Sequence, residues 1–545
     1  MCGIFALFGP NLPSQEIINE YFKLGSKRGP ESSKLVSFNN NSIYLGFHRL
    51  AINGLNNISD QPIYYKDYVL ICNGEIFNYK ELIEKYQLEV TTQSDCEVII
   101  HLYDLIGMEL INELDGEFAF IIYNKKDNNF VSYRDPYGVR PLYVTYVNDI
   151  YMFSSDVAPL NLFNDLTELK HVVPGTFIQY DYINDKFIEI KYKMFKMFKD
   201  DFSSTSSQFE ELDELENNKK NIYETLKKAV YKRVITSERP LACLLSGGLD
   251  SSLVAAFASR FYRELTGNQI ETYSIGLPES EDLKFSKLVA EHIGSKHTQI
   301  ICSEDDFFNA IPNVIKDIES YDTTTVRASV GNWLIGKYIK EHSDAKVVLN
   351  GDGADEVMGG YLYLHACPDE LEFDYECKRL LNYIHHFDVL RSDKSISSHG
   401  LEPRTPYLDK EFVSSYFYYP TSLRCHKINN KPEKYIIREI IQQYEPDLLP
   451  LCVLQRKKEA FSDGVSGLQR SWYEIIQSKL ENMTINDFDE NIEYNHNPPT
   501  TKEQKYYRYL FEKYYKGAEN IIPFFWMPKY VNATDASART LTELY

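Results

Sequence analysis

The chain has 545 residues, with 58 Lys and Arg against 79 Asp and Glu, a formal net charge of −21. At roughly 150 residues per domain this length predicts more than one domain, and 43% hydrophobic with 25% charged residues excludes a mainly disordered or low-complexity chain. The acidity argues against general affinity for nucleic acid or an anionic membrane, yet leaves room for a local basic pocket that takes one nucleotide. Nine cysteines, an odd number with no CxxC pair, run from Cys2 to Cys452 and point to a reducing compartment. No apolar run approaches the ~18 residues that span a bilayer. The apolar stretch Met1–Gly9 lacks a basic n-region and stops at Pro10-Asn11, so it is no signal core. The cytosol is therefore the expected location, and the sequon Asn532-Ala533-Thr534 is expected to stay unmodified.

In chain order, the first ~200 residues predict strands and turns with a few helices. Ile43–Phe47, Tyr68–Cys72 and Phe118–Tyr123 are short apolar runs bounded by Asn, Gly and Asp, the pattern of buried strands. Residues Asp95–Ile106 read as a helix. Residues 201–220 are Ser-, Asn- and acid-rich and predict a linker between a domain at 1–200 and a second at 221–545. Ile222, Leu226, Val230 and Val234 then recur every fourth residue, one face of a helix. Leu241–Leu245 predicts a buried parallel strand, followed by a Ser/Gly turn and a helix from about Asp250. Thr272–Ile275 is a second strand, Glu281–Ile293 a helix and Lys346–Leu349 a later strand. This alternation predicts a doubly wound α/β sheet, which binds ligands at the carboxyl ends of its strands.

Cys2 follows the initiator Met1, and a small residue there favours methionine removal. A thiol beside a free α-amine whose ordinary pKa is near ~8 combines nucleophile and base in one residue. Alone, Cys2 reads better as a buried inert cysteine. Arg28-Gly29-Pro30-Glu31 is a rigid basic turn. Arg49, at a predicted strand end, suits a carboxylate, or else a surface salt bridge. Asn73-Gly74-Glu75 sets an amide beside a glycine N–H, which can build an oxyanion hole; its plainer reading is a hairpin turn.

In the second half, Ser246-Gly247-Gly248-Leu249-Asp250-Ser251-Ser252 lies between a strand and a helix. Small residues and a helix N-terminus there suit a phosphate, and Asp250 suits Mg²⁺. Gly351-Asp352-Gly353-Ala354-Asp355-Glu356 follows another strand, so Asp250 and Asp355 could share a metal; otherwise it is a solvated acidic turn. Lys457 and Lys458 are an exposed basic pair, or one of them neutralises a leaving pyrophosphate.

Taken together, Met1-Cys2-Gly3-Ile4, Arg28–Glu31, Asn73–Tyr79 and Arg134–Leu142 resemble the class II glutamine amidotransferases. That resemblance implies an N-terminal-nucleophile (Ntn) hydrolase fold, a four-layer αββα sandwich. It implies that Cys2 attacks the glutamine amide and that Asn73 and Gly74 stabilise the oxyanion. Arg49 and Asp95 would grip the α-carboxylate and α-amino group, with Leu50, Ala51, Ile52, Asn53 and Glu75 lining the pocket. Glu31 stands where that family usually has Asp. The Ser246–Ser252 string resembles the pyrophosphate loop of the ATP pyrophosphatases.

The two halves together, with Glu319–Ser329, Leu401–Asp409, Lys458–Gly464 and the tail from Pro499 to Asp535, resemble the glutamine-hydrolysing asparagine synthetases, in their eukaryotic form. The resemblance implies ligase activity. Aspartate is adenylated by ATP with release of pyrophosphate, and ammonia from glutamine converts β-aspartyl-AMP to asparagine. Leu245, Ser246, Gly247, Gly248, Asp250, Ser251, Ile275, Asn350 and Gly351 would border ATP. Asp250 and Asp355 would hold Mg²⁺, Thr324 and Arg327 would bind aspartate, and Lys458 would contact phosphate. Asn350 and Asp352 stand where the family more often has Ser and Glu, the Glu assisting adenylate formation and ammonia entry. A homodimer is implied as well. Two other readings are a relative that adenylates a different carboxylate and a non-catalytic ligand sensor. Retention of Cys2, Thr324 and Arg327 argues against the first, and Cys2, Asp250 and Lys458 against the second.

Overall fold

A computed structural model describes residues 1–183, 186–193, 212–458, 464–467, 470–481, 483 and 493–537. The N-terminal strands are β1 (Gly3–Phe8), β2 (Ser32–Phe38), β3 (Ile43–Arg49), β4 (Ile63–Tyr65), β5 (Tyr68–Ile76), β6 (Gly116–Asn124), β7 (Asn129–Arg134), β8 (Tyr143–Val147), β9 (Ile150–Ser154), β10 (Lys170–His171), β11 (Thr176–Ile183) and β12 (Lys186–Lys193). They form two six-stranded sheets, in the orders β10-β8-β9-β1-β3-β2 and β12-β11-β7-β6-β5-β4.

Side-chain alternation explains why these strands are apolar on both faces. Ile4, Ala6 and Phe8 of β1 meet Val69 and Ile71 of β5 and Ala119, Ile121 and Tyr123 of β6 between the sheets. The intervening Leu70, Cys72, Phe118, Phe120 and Ile122 face outward against Val98, Ile99 and Leu102 of the helix Glu97–Ile106. Phe5 and Leu7 face the other way, against Ile18 and Phe22 of the helix Gln15–Lys23. The result is the expected αββα layering. Asn73 and Gly74, which could have formed a hairpin turn, lie instead within β5, paired with Ala119 and Phe118.

The second half is built on β13 (Leu241–Leu244), β14 (Glu271–Gly276), β15 (Lys296–Ile301), β16 (Val347–Leu349) and β17 (Glu402–Arg404). All four pairings are parallel, in the order β15-β14-β13-β16-β17. The chain winds outward from β13 first one way and then the other, which opens a crevice at the carboxyl ends of β13 and β16. The helices Leu249–Thr266, Glu281–Ile293 and Thr323–His342 cover the sheet, with further helices beyond it.

The expected linker differs from the structure in part. Residues 201–211 lie outside the described residues, as do 459–463 of the Lys458–Gly464 segment, but Leu212–Lys220 are the first turns of a helix running Leu212–Ile235. The polar composition that suggested a linker is that of a solvated helix end. Lys219 pairs with Glu216 at 3.3 Å, and Gln443 donates to Glu216 at 2.8 Å. The apolar face read from Ile222, Leu226, Val230 and Val234 is buried as expected.

The two halves share their cores. Leu50 and Ile52 pack in one cluster with Leu241, Leu245 and Leu349. Buried ion pairs also cross between them, Arg28 to Asp393 at 2.8 Å and Arg233 to Glu117 at 2.9 Å. Removing either partner of such a pair strands a buried charge.

Candidate active sites

Cys2 precedes β1 and has the same parity as Ile4 and Ala6, so its side chain packs at the rim of the inter-sheet core. Asn73 has the parity of Val69 and Ile71 and points into the same layer from β5. Its amide is fully buried, and neither Nδ2 nor Oδ1 has a hydrogen-bond partner. Buried amides are nearly always paired, so an orphaned one here is a group waiting for a ligand. The Cys2 thiol donates to Leu50 O at 3.5 Å, and Arg28 Nε donates to Cys2 O at 3.0 Å. Burial pushes the thiol up to about 12, opposed by the adjacent α-ammonium. Burial also lowers that N-terminal ammonium below its ordinary value, so an amine here tends toward its neutral, proton-accepting form.

Around this rim the other expected residues gather with different freedom. Asp95 Oδ2 accepts from Ile76 N at 2.7 Å, which ties it to the end of β5. Burial raises its carboxyl to about 6, against the pull of that N–H. Asn53 Nδ2 donates to Glu75 Oε2 at 2.6 Å, and Ala51 N donates to Glu31 Oε2 at 2.7 Å. Glu31 also takes Arg239 at 2.8 Å, so the longer side chain at this position joins the two halves. Arg49 lies at the end of β3 as expected, but its guanidinium already holds Asp60 at 2.6 Å, Asn56 O at 2.8 Å and Gly54 O. Any other carboxylate on this guanidinium has to displace Asp60.

The second constellation surrounds a cavity of about 200 Å³ at the crevice of the parallel sheet. Leu245, Ser246, Gly248, Asp250, Ser251, Ile275, Asn350, Gly351, Asp352 and Asp355 line it, with Thr324, Lys457 and Lys458. Gly247 does not line it. At φ +79° that glycine makes the turn, and a Cβ there would lie 2.4 Å from Ser286 N. The two loops touch, since a Cβ on Gly351 would lie 2.9 Å from Ser251 N. Asn350 braces its loop, donating to Ser392 Oγ at 2.5 Å and accepting from Asp352 N at 3.3 Å. Asp352 meets Arg391 at 3.0 Å, and burial raises its carboxyl. Thr324 owes its place to the Asp322 N-cap, which accepts from Thr325 N at 2.8 Å and starts the helix Thr323–His342.

Asp250 and Asp355 converge as expected, through two lysines. Lys434 reaches Asp250 at 2.5 Å and also bonds Asp355, while Lys458 lies 2.5 Å from Asp355 and 4.0 Å from Asp250. Burial works against the charge on Asp355, but Lys434 and Lys458 hold it below the usual carboxylate range. Burial likewise works against Lys458, and Asp355 with Asp250 keeps it protonated. The hard oxygen donors fit Mg²⁺, and Asp250 Oδ1 is buried without a partner. Lys434 was not among the expected residues. It sits at φ +56° ahead of a helix with no motif around it, and only the fold brings it to Asp250.

The structure places Arg327 apart from these residues. It does not line the cavity. Its guanidinium is spent on Glu503, at 2.8 and 2.6 Å, and on Asp535, at 2.7 and 2.9 Å. Two carboxylates therefore already take the fork that aspartate was expected to use. Arg327 clamps the C-terminal segment to the helix that carries Thr324, and acts on that residue through position.

Two further residues link the constellations. Arg404 of β17 meets Glu75 at 3.3 Å and Glu402 at 2.8 Å, and Glu402 lies 3.8 Å from the N-terminal ammonium. The β17 strand pairs with β16, whose end carries the Asn350–Asp355 loop. The thiol rim of one half thus abuts the strand next to the cavity of the other.

With this geometry in hand, a family model for an asparagine synthase matches residues 221–374 and 366–518, and one for a glutamine amidotransferase domain matches residues 1–196. An asparagine synthetase [glutamine-hydrolyzing] of Gallus gallus is 38% identical over 563 residues, covering 99% of this chain and 98% of the relative. The Homo sapiens protein of that name is 38% identical over 566 residues, covering 99% of each. Among solved structures, a glutamine phosphoribosylpyrophosphate amidotransferase from B. subtilis is 22% identical and covers 50% of this chain and 66% of its own, with a TM-score of 0.31.

Proposed function

The chain belongs to the glutamine-hydrolysing asparagine synthetases, and from that premise we propose which of its residues carry each step. It is a ligase that makes L-asparagine from L-aspartate, with L-glutamine as nitrogen donor and ATP as co-substrate.

In the first centre, removal of Met1 frees the Cys2 α-amine, which takes the thiol proton. The thiolate attacks the glutamine amide carbon, and the Asn73 amide with the Gly74 N–H stabilises the oxyanion. Ammonia leaves, and water releases glutamate from the thioester. Asp95 pairs with the substrate ammonium and Arg49 with its carboxylate. The orphaned, buried Asn73 amide is the observation that carries this assignment.

In the second centre, the aspartate β-carboxylate attacks the ATP α-phosphorus and pyrophosphate leaves, its charge met by Lys458. Asp250 and Asp355 would hold Mg²⁺, which supplies charge neutralisation at phosphate oxygens. Thr324 contacts aspartate, and Asp352 assists ammonia as it attacks the β-carbonyl and AMP departs. Ammonia must arrive unprotonated, because ammonium has no lone pair to attack with. A passage shielded from water between the Cys2 rim and β17 meets that need. We place the boundary between the two domains in the segment ending near residue 211. All nine cysteines are free, which fits the cytosol, and no helix among the described residues is long and apolar enough to cross a membrane. A homodimer belongs to the same proposal.

The reading has a pH signature. Asp95 must be ionised to pair with the substrate ammonium, and it is ionised above about 6. The kcat/KM for glutamine in the glutaminase half-reaction is therefore expected to fall roughly tenfold per pH unit below that value, and Asp95→Asn to flatten the limb at a low rate. An acid limb centred near an ordinary carboxylate pKa, or one unchanged in Asp95→Asn, removes Asp95 from the pocket.

A further inference from the structure

The mechanism uses Cys2 alone, yet eight other cysteines remain, and four of them lie in two thiol–thiol contacts. The contact between Cys367 and Cys425 has a structure of its own. Two segments run side by side there. The His365 and His426 rings lie 4.2 Å apart, the Cys367 and Cys425 thiols are in contact, and Lys427 Nζ donates to Cys367 O. Both cysteines are buried. Among the described residues no three side chains of metal-binding type converge to hold a metal, so the chemistry open to this cluster is that of two sulfurs.

The two thiols are electronically unequal. Cys367 Sγ donates to Asp369 O at 3.6 Å, which marks it as the protonated thiol, while contact with Cys367 and the backbone N–H groups of Ile428 and Lys427 lower the Cys425 pKa against the effect of burial. The contact with Cys425 and burial raise the Cys367 pKa. An attacking thiolate thus has a protonated partner thiol beside it, the arrangement of a reactive cysteine with a resolving one.

We propose that Cys367 and Cys425 are a peroxide-reactive pair that closes to a disulfide and thereby controls the nucleotide cavity. Cys425 thiolate attacks one peroxide oxygen, the O–O bond breaks, and hydroxide leaves to take a proton as water. The resulting Cys425 sulfenic acid is attacked at sulfur by Cys367. The S–O bond breaks, and the second hydroxide leaves as water with the Cys367 proton. Two thiols lose two electrons, and one peroxide becomes two waters. Peroxide is the fitting oxidant, being about as small as the water it resembles, because neither sulfur has a surface that a bulky disulfide could reach.

The link to the cavity is short, and rests on the reading of that cavity as the ATP site. Tyr361, Leu362 and Tyr363, just before Cys367, line it, as do Glu433 and Lys434 after Cys425. Forming a bond shortens the sulfur separation and pulls these two wall segments together.

The test treats the full-length protein with a small excess of hydrogen peroxide and maps its peptides without reduction. The expected product is a Cys367–Cys425 linked peptide, lighter by two hydrogens and restored by dithiothreitol, with Cys72 and Cys96 still alkylated as thiols. In Cys367→Ser the sulfenic acid on Cys425 is trapped by dimedone, and in Cys425→Ser Cys367 stays unlabelled. Absence of the linked peptide from the oxidised native chain overturns the proposal, with no need for either variant to fold. Asparagine formation from aspartate, ATP and ammonia is expected to fall several-fold in the linked chain and recover on reduction. A linked chain with unchanged synthesis overturns the control of the cavity. Failure of the cavity reading itself shows separately, as aspartate-dependent pyrophosphate release undiminished in both Lys458→Ala and Asp250→Asn.

Discussion

Cys2→Ala abolishes asparagine formation from glutamine and leaves formation from free ammonia within a few-fold of the native rate. The effect on the first reaction is large because no second nucleophile is at hand. Loss of a catalytic nucleophile costs on the order of 10⁴-fold or more. The effect on the second is small because the Cys2 thiol bonds within its own half, to Leu50 O, and its backbone reaches the other half through Arg28, which bonds Cys2 O and pairs with Asp393. Its side chain packs at the rim of the inter-sheet core, and alanine fills most of that space. Paired assays of glutamine- and ammonia-dependent synthesis check the outcome. Loss of both activities together contradicts the division into two centres.

Lys458→Ala produces the opposite split. Lys458 lies 2.5 Å from Asp355 in the cavity, which on the proposed reading is where negative charge gathers as pyrophosphate departs. Removing one such charge-matched donor costs roughly 10²–10³-fold in turnover, measured as aspartate-dependent release of pyrophosphate. Lys434 still neutralises Asp250 and Asp355, so the cavity keeps its form. Glutaminase activity, which we assign to Cys2, Asn73 and Asp95, stays near the native rate. An undiminished rate of pyrophosphate release moves the phosphate contact to another residue, Lys457 being the nearest in sequence.

Much of this arrangement is legible before any coordinates. A strand buried on both faces shows itself as an unbroken apolar run, and Phe118–Tyr123 is one because sheet and helix cover its two sides. The crevice follows from strand–helix alternation and the small residues at the ends of β13 and β16. What resisted reading was which partner each charged group takes. Arg327 suits a carboxylate, but the sequence does not say that Glu503 and Asp535 arrive from 176 and 208 residues away to take it. Arg49 binds a carboxylate too, from a loop only 11 residues on. Lys434 carries no pattern at all, since its role comes from a position relative to Asp250 and Asp355 that only tertiary packing sets. The Asn73-Gly74 pair was ambiguous for a different reason. Local propensity favours a turn, and burial between two sheets overrides it.

The account rests on nitrogen moving from Cys2 to the adenylated aspartate without entering bulk water. The most direct measurement supplies ATP, Mg²⁺, aspartate and amide-¹⁵N glutamine together with a large excess of unlabelled ammonium at a pH where ammonium predominates, and reads the isotope in the asparagine amide by mass spectrometry. Predominant ¹⁵N in the product is the predicted result. An amide label diluted to the isotope ratio of the bulk ammonium contradicts the account.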